Sequence, residues 1–181
     1  TVTMNSGSTL KASSITATSS TISAMGGTIT SDNAITITAG ILGLSGNASM
    51  KGSSFTAQTG SNVYMSGTSS LTIDNSISFK ASTAKFFGNA WAKANNSVVL
   101  DNGSNVVVGD GPLAGTAHLI TNNALQVLNG SQLAIANGNN YLYTSANNNT
   151  DASNNYQIRT NTIRCGAGPA NTCTTRYVYR C

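Results

Sequence analysis

The chain has 181 residues, of which only 8% are charged, and Asp is its only acidic residue type. With so little charge and two prolines, it does not have the composition of a disordered segment. The net charge of +4 falls mostly after Tyr143, in a region too sparsely basic to predict nucleic-acid binding. The chain also lacks the apolar run of about 18 residues that a membrane span needs.

A glycine recurs along the chain after a short apolar run. Successive members of the series are 20 or 21 residues apart, a period typical of stacked repeat architectures. We expect these glycines to mark one corner of a repeat, where the backbone needs a positive φ. The series consists of Gly26, Gly46, Gly67, Gly88, Gly109 and Gly130.

Aligning the chain on these glycines gives three short strand slots in each period, the third being the run before each glycine. Apolar residues and Thr alternate in the slots, as in Ile15 to Thr18, which is the pattern of a half-buried strand. The first slot begins at Leu10, Ile29, Met50, Leu71, Ala92, Leu113 and Leu133. The second begins at Ile15, Ile35, Phe55, Ile77, Val98, Leu119 and Tyr141.

Three short strands per period predict an all-β chain whose residues 1–143 form a three-sided parallel β-helix (β-solenoid) of about seven coils of ~21 residues. Parallel ladders about 4.8 Å apart would make a prism roughly 35 Å tall. Because a coil buries its apolar side only against its neighbours, stability is expected to depend on stacking.

The first coil is predicted to begin within the third slot, since Val2 to Gly7 resembles Val63 to Gly67. No amphipathic helix or charged segment precedes it, so we expect its strand edges to be open to pairing with another chain.

After Tyr143 the sequence predicts an Asn-rich linker over 144–155 and a tail of short strands over 156–181. The tail strand could cap its own last coil or add to the first coil of a neighbour. The strand positions that we expect to take part in assembly are Val2, Met4, Tyr141, Tyr143, Tyr177, Val178 and Tyr179.

The tail also holds Cys165, Cys173 and Cys181, and the chain contains no Cys-x-x-Cys pair of the kind that binds zinc. A disulfide within the tail is expected, with three pairings open. The odd cysteine is then either free or joined to another subunit.

Catalytic chemistry is poorly supported by the remaining polar residues. Asp74 and Asp101 lie in different slots, and Asp32 falls at a turn, so no pair of carboxylates is predicted for general acid–base work. His118 has no second ligand at usable spacing and is expected to be a polar turn residue. We therefore expect no enzyme, metal or cofactor.

Three sets of outward positions remain. The Thr pairs at 16/18 and 36/38 resemble an ice-binding face, but the pattern stops after two coils. One outward position in alternate coils carries Lys11, Lys51 and Lys93, which predicts a solvated face. Aromatic residues near the third corner are candidates for lateral contact or for burial in that corner, namely Tyr64, Phe87 and Trp91.

Residues 2–143 resemble, in architecture, the secreted β-solenoids of bacterial filamentous-haemagglutinin-like and autotransporter adhesins. The resemblance rests on the ~21-residue coil with corners rich in Ser, Thr, Asn and Gly. It implies an extracellular or cell-surface structural role.

The leading hypothesis is a structural subunit of an extracellular filament or matrix fibre. Copies would stack head to tail through their terminal coils, and the tail would lock neighbours. The chain begins with Thr1, which fits a secreted product whose signal peptide has been removed, or a fragment. The alternative is a monomeric or trimeric adhesin that binds cell-surface glycans or another polysaccharide; an ice-binding protein is the third possibility.

Overall fold

The computed structural model describes residues 1–109, 115–135, 141–144, 148–150, 157–158 and 164–165. Within these residues all regular structure is β and none is helical. The strands form three parallel sheets that wrap around one apolar column, which confirms the prediction of a three-sided β-solenoid.

Each sheet contains every third strand of the chain, and all its pairings are parallel. Sheet A consists of β1 (Val2–Met4), β4 (Thr21–Met25), β7 (Ile41–Ser45), β10 (Asn62–Met65), β13 (Thr83–Phe86), β16 (Asn105–Val108), β19 (Gln132–Ile135) and β22 (Gln157–Ile158). Sheet B consists of β2 (Thr9–Ala12), β5 (Thr28–Ser31), β8 (Ser49–Gly52), β11 (Ser70–Ile73), β14 (Trp91–Ala94), β17 (His118–Thr121), β20 (Tyr141–Thr144) and β23 (Arg164–Cys165). Sheet C consists of β3 (Ile15–Thr18), β6 (Ala34–Thr38), β9 (Ser54–Gln58), β12 (Ser76–Lys80), β15 (Ser97–Asp101), β18 (Ala124–Val127) and β21 (Asn148–Thr150).

One coil passes through sheets B, C and A in that order. Five complete coils follow one another without interruption from Thr9 to Val108, so the predicted count of about seven is slightly off. Strands after residue 115 extend the same three ladders.

The core is a column of apolar side chains that repeats in register from coil to coil. Alternate residues of strands β3 to β18 point inward, so that Ile35, Phe55 and Ile77 of sheet C are directly stacked and fully buried. The rings of Phe55 and Phe79 meet edge to face, with centroids 6.1 Å apart and planes at 62°. This regular column is what the alternation of apolar and polar residues in each strand dictates.

Glycine is required at the corner between sheets A and B. Gly67 has φ +68°, and a Cβ there would lie 2.7 Å from the carbonyl oxygen of Gly46 in the coil before. A side chain would therefore be strained by its own backbone and would also collide with the stacked one. Positive φ is shared by Gly26, Gly46, Gly67, Gly88 and Gly109.

The corner between sheets C and A is instead stabilised by buried serines. The Ser61 hydroxyl donates to the carbonyl of Ile37 at 2.9 Å, and that of Ser82 donates to the carbonyl of Ala57 at 3.1 Å. Both acceptors lie in strands of sheet C one coil earlier, so the buried hydroxyls satisfy their own hydrogen-bonding needs and join this corner to the preceding coil.

The repeat frame predicted after Gly109 is wrong, because the corner between β16 and β17 is longer than its equivalents. Val108 and His118 are ten positions apart, whereas Phe86 and Trp91, at the same corner one coil earlier, are five apart. At Gly115 the backbone packs against Gly88 of the preceding coil, since a Cβ at Gly115 would lie 2.4 Å from the Gly88 carbonyl carbon. The extra residues leave the ladders intact, because β16 still pairs with β13 and β17 with β14 in continuous register.

Because of this longer corner, the later strands lie in different sheets from those that the predicted slots assigned to them. Leu119 lies in sheet B, the first slot, rather than in the second, and Tyr141 also lies in sheet B. Leu133 lies in sheet A rather than in the first slot, and Leu113 is outside the described residues. Gly130 has a positive φ but follows a strand of sheet C, so it belongs to a different corner from the other five glycines.

Short strands continue the ladders within the segments predicted as linker and tail. Strand β21 pairs with β18, β22 with β19, and β23 with β20. Most of residues 144–181 lie outside the described part of the chain, so the division into linker and tail stays a prediction.

Candidate assembly and binding surfaces

The first coil has strand edges that pair on one side only within the described chain. Strands β1, β2 and β3 pair with β4, β5 and β6, and no described strand lies on their other side. Val2 is in register with Ile22 in the inward column, yet it is 44% exposed whereas Ile22 is 4% exposed. The edge therefore combines unpaired backbone groups with accessible core side chains, including the partly buried Leu10 and Ala12.

Met4 lies on the same strand as Val2, and the other described positions predicted for assembly lie towards the opposite end of the stack. Met4 is buried in β1, while Tyr141 and Tyr143 lie in β20, in register with His118 and Ile120. Cys165 lies in β23 opposite Thr144. Outside the described residues are Cys173, Tyr177, Val178, Tyr179 and Cys181.

The three aromatic residues predicted for lateral contact do not share one face. Tyr64 is on the outer side of sheet A and is 40% exposed, opposite Gly43 and Lys85. Phe87 is half-buried at the corner after β13, and Trp91 is half-buried on the outer side of sheet B. Sequence reasoning missed two further exposed apolar side chains on sheet A, namely Met25 and Ile41.

The outer side of sheet C carries the Thr pairs. Thr16 and Thr18 are in register with Thr36 and Thr38, and the next coil continues with Thr56 and Gln58. Gln58 follows Thr38 in register and donates from Nε2 to the Thr38 hydroxyl at 3.2 Å, so the column of Thr18 and Thr38 ends at a Gln side chain. A regular Thr-x-Thr array thus covers two coils.

The outer side of sheet B carries the lysines. Lys11, Lys51 and Lys93 occupy one outward position in the first, third and fifth coils, in register with Thr30 and Thr72 of the coils between them. Sequence reasoning found the lysines but missed that the neighbouring outward position on the same face holds hydroxyls. Four hydroxyl residues are stacked in register at this position, and Trp91 follows them in the next coil. The order is Thr9, Thr28, Ser49, Ser70 and Trp91.

The titratable groups considered for catalysis are dispersed. Asp32 and Asp74 are exposed at the corner between sheets B and C, and Asp101, at the end of β15, accepts from Asn129 Nδ2 at 2.6 Å. His118 is half-buried as the first residue of β17, and this burial lowers its pKa from 6.5 although a hydrogen bond with the Thr116 backbone opposes the shift. No group of three metal-ligating side chains occurs among the described residues.

Comparisons of this chain with protein-family models, with curated proteins and with solved structures found no match. The resemblance to bacterial adhesins therefore rests on architecture alone. Across the part of the chain that the structure describes, there is no helix long and apolar enough to cross a membrane.

Proposed function

We propose that the protein is a structural subunit of an extracellular filament or matrix fibre, in which copies stack head to tail. The observation that carries the proposal is the outer edge of the first coil, which no described strand covers. There, three parallel strands and the exposed Val2 side chain present the same surface that every inner coil presents to its neighbour. A coil of a second copy would continue the three ladders and cover the end of the apolar column.

Such a contact joins two different surfaces and therefore propagates without closing. The donor surface would be the far end of a neighbour's stack, where β21, β22 and β23 are the last described strands of the three sheets. Tyr141 and Tyr143 lie one strand further in, on β20, which pairs with β23. In the proposed fibre, the strand around Tyr177–Tyr179 adds to the junction, and a cysteine of the tail can link neighbours covalently in an oxidising compartment. The role is mechanical and needs no catalytic group.

Electron microscopy of the unreduced protein at two concentrations tests the proposal. We expect uniform fibres of the width of one solenoid at the higher concentration. Compact particles at both concentrations would contradict the proposal.

A pair of variants in β1 locates the junction. Val2→Asp places a charge in the inward column at the open edge, and we expect it to prevent fibre growth, because a neighbour's coil would bury that carboxylate unpaired. The matched control is Thr3→Asp, which puts the same charge on the exposed outward side of the same strand. Equal fibre growth by both variants would refute stacking through the first coil.

A further inference from the structure

The outer side of sheet B carries a row of positive charges with a fixed spacing. Lys11, Lys51 and Lys93, here called the basic row, lie on strands β2, β8 and β14. Each is separated from the next by one Thr-bearing strand in strict register, with Thr30 and Thr72 between them. Since neighbouring strands are about 4.8 Å apart, the ammonium groups recur about every 10 Å along the solenoid axis.

The charges of the basic row are available to a partner. Lys11 and Lys51 are exposed and Lys93 is half-buried, and none of the three forms an ion pair with another described residue. The carboxylates at the adjoining corner, Asp32 and Asp74, lie in the two coils that carry Thr rather than Lys. A separation of about 10 Å is close to the screening length at physiological salt, so the row is held at little repulsive cost.

The rest of the face suits a sugar chain. Beside the basic row runs the column of hydroxyls that begins at Thr9 and ends at Ser70, and the next residue in register is Trp91. Trp91 and Lys93 are two residues apart on β14, so both point outward from one strand. Hydroxyls can donate to and accept from sugar hydroxyls, and an indole offers a rigid apolar surface for a pyranose ring together with a polar N–H.

We propose that the outer side of sheet B binds a linear acidic polysaccharide that runs along the solenoid axis, across the strands. Its acid groups, one on every second sugar, lie against the basic row. The sugars between them contact Thr30 and Thr72, and one ring packs on Trp91. A row repeating over two coils fits a polymer that repeats over two sugars, because each further disaccharide meets the same set of groups.

Nucleic acid fits this face less well. In a duplex the phosphates of one strand follow each other every ~3.4 Å along the axis, and single strands are bound by successive aromatic platforms. On the outer side of sheet B in the first five coils there is one aromatic side chain, Trp91, among ten outward positions. The polysaccharide site does not depend on fibre formation, although stacking in register would multiply it along a fibre.

Binding of hyaluronan oligosaccharides, measured by calorimetry in low and in physiological salt, tests the proposal. Lys11→Thr with Lys51→Thr extends the existing Thr column and removes two charges. We expect it to weaken binding about three- to tenfold, as exposed ion pairs do, with a smaller loss in high salt. The matched control is Lys80→Thr with Lys85→Thr, which removes two charges from sheets C and A and should leave the affinity unchanged.

A second variant tests the spacing at constant charge. Lys51→Thr with Thr72→Lys moves the middle charge by one coil, and we expect it to weaken hyaluronan binding although the net charge is the same. Circular dichroism verifies that each variant is folded. The proposal is overturned by absence of binding to the parent chain, by equal losses in the two charge-removing pairs, or by tighter binding of oligo(dT) than of hyaluronan.

Discussion

Replacing Gly67 by Ala should destabilise the solenoid more than the same change at Gly60. Both glycines have a positive φ, +68° and +75°, so both substitutions force alanine into the left-handed region. They differ in their surroundings. A Cβ at Gly67 would lie 2.7 Å from the oxygen and 3.0 Å from the nitrogen of Gly46, whereas a Cβ at Gly60 meets no atom within 4 Å.

The magnitudes follow from that difference. Left-handed alanine costs roughly 1–2 kcal/mol, part of which is recovered because alanine restricts the unfolded chain, so Gly60→Ala should lose about 1 kcal/mol. At Gly67 the Cβ also displaces backbone, and the Gly46 carbonyl is held by the Thr68 N–H at 2.7 Å. Overpacking of this kind adds roughly 1–3 kcal/mol, giving a total loss of about 2–4 kcal/mol.

Urea unfolding followed by circular dichroism measures both losses, provided that the two variants and the parent share one m-value. Equal losses at the two positions would refute the reasoning, because they would mean that the stacked backbone yields freely to the added methyl group. A larger loss at Gly60 would do so more strongly.

Three further substitutions test other parts of the structure. Ser69→Ala should raise the free energy of unfolding by about 1 kcal/mol, or the melting temperature by roughly 2–4 °C, because the buried Ser69 hydroxyl has no hydrogen-bond partner among the described residues; a lower melting temperature would contradict this. Phe79→Ala should cost about 3–5 kcal/mol in urea unfolding by emptying the core beside Phe55, whereas Ser78→Ala on the outward side should change stability by less than about 0.5 kcal/mol. Burial lowers the pKa of His118, so the unfolded chain binds a proton at this side chain more tightly than the folded chain does, and stability should fall as the pH drops below 6.5. His118→Gln should reduce the dependence of the melting temperature on pH in this range, and an unchanged dependence would contradict the assignment.

The sequence was sufficient to predict the coil because two periods can be seen directly in it, the two-residue alternation within each strand and the glycine spacing of about 21 residues. Alternation within a strand separates inward from outward residues, and the glycine spacing places one corner. Lys11, Lys51 and Lys93 could be assigned to one outward row for the same reason, since each directly follows a recognisable inward residue. In this stretch the coil length varies by at most one or two residues.

The frame failed after Gly109 because a corner can lengthen without any change in the ladders. The spacing of 21 residues between Gly109 and Gly130 continued the series, although the two glycines lie at different corners. The pairing of His118 with Trp91 becomes evident only when the strands are in register. Serine and alanine in the left-handed region, as at Ser19 and Ala39, carry no composition signal of a turn and were also missed.

The hydroxyl column beside the basic row was missed for a related reason. Ser and Thr are so frequent in this chain that their presence at an outward position predicts little. Their significance comes from the strict register that aligns Thr9, Thr28, Ser49 and Ser70 in one column beside the lysines. That register depends on pairing between residues some 20 positions apart.

The central claim, that the first coil is an assembly surface, is tested most directly by hydrogen–deuterium exchange of β1, β2 and β3. In a parallel ladder the backbone N–H groups point alternately to either side, so about half of those in the first coil have no ladder partner among the described strands. We predict that these amides exchange quickly in dilute protein and become protected at the concentration at which fibres form. Fibres in which the same amides still exchange quickly would contradict stacking through the first coil.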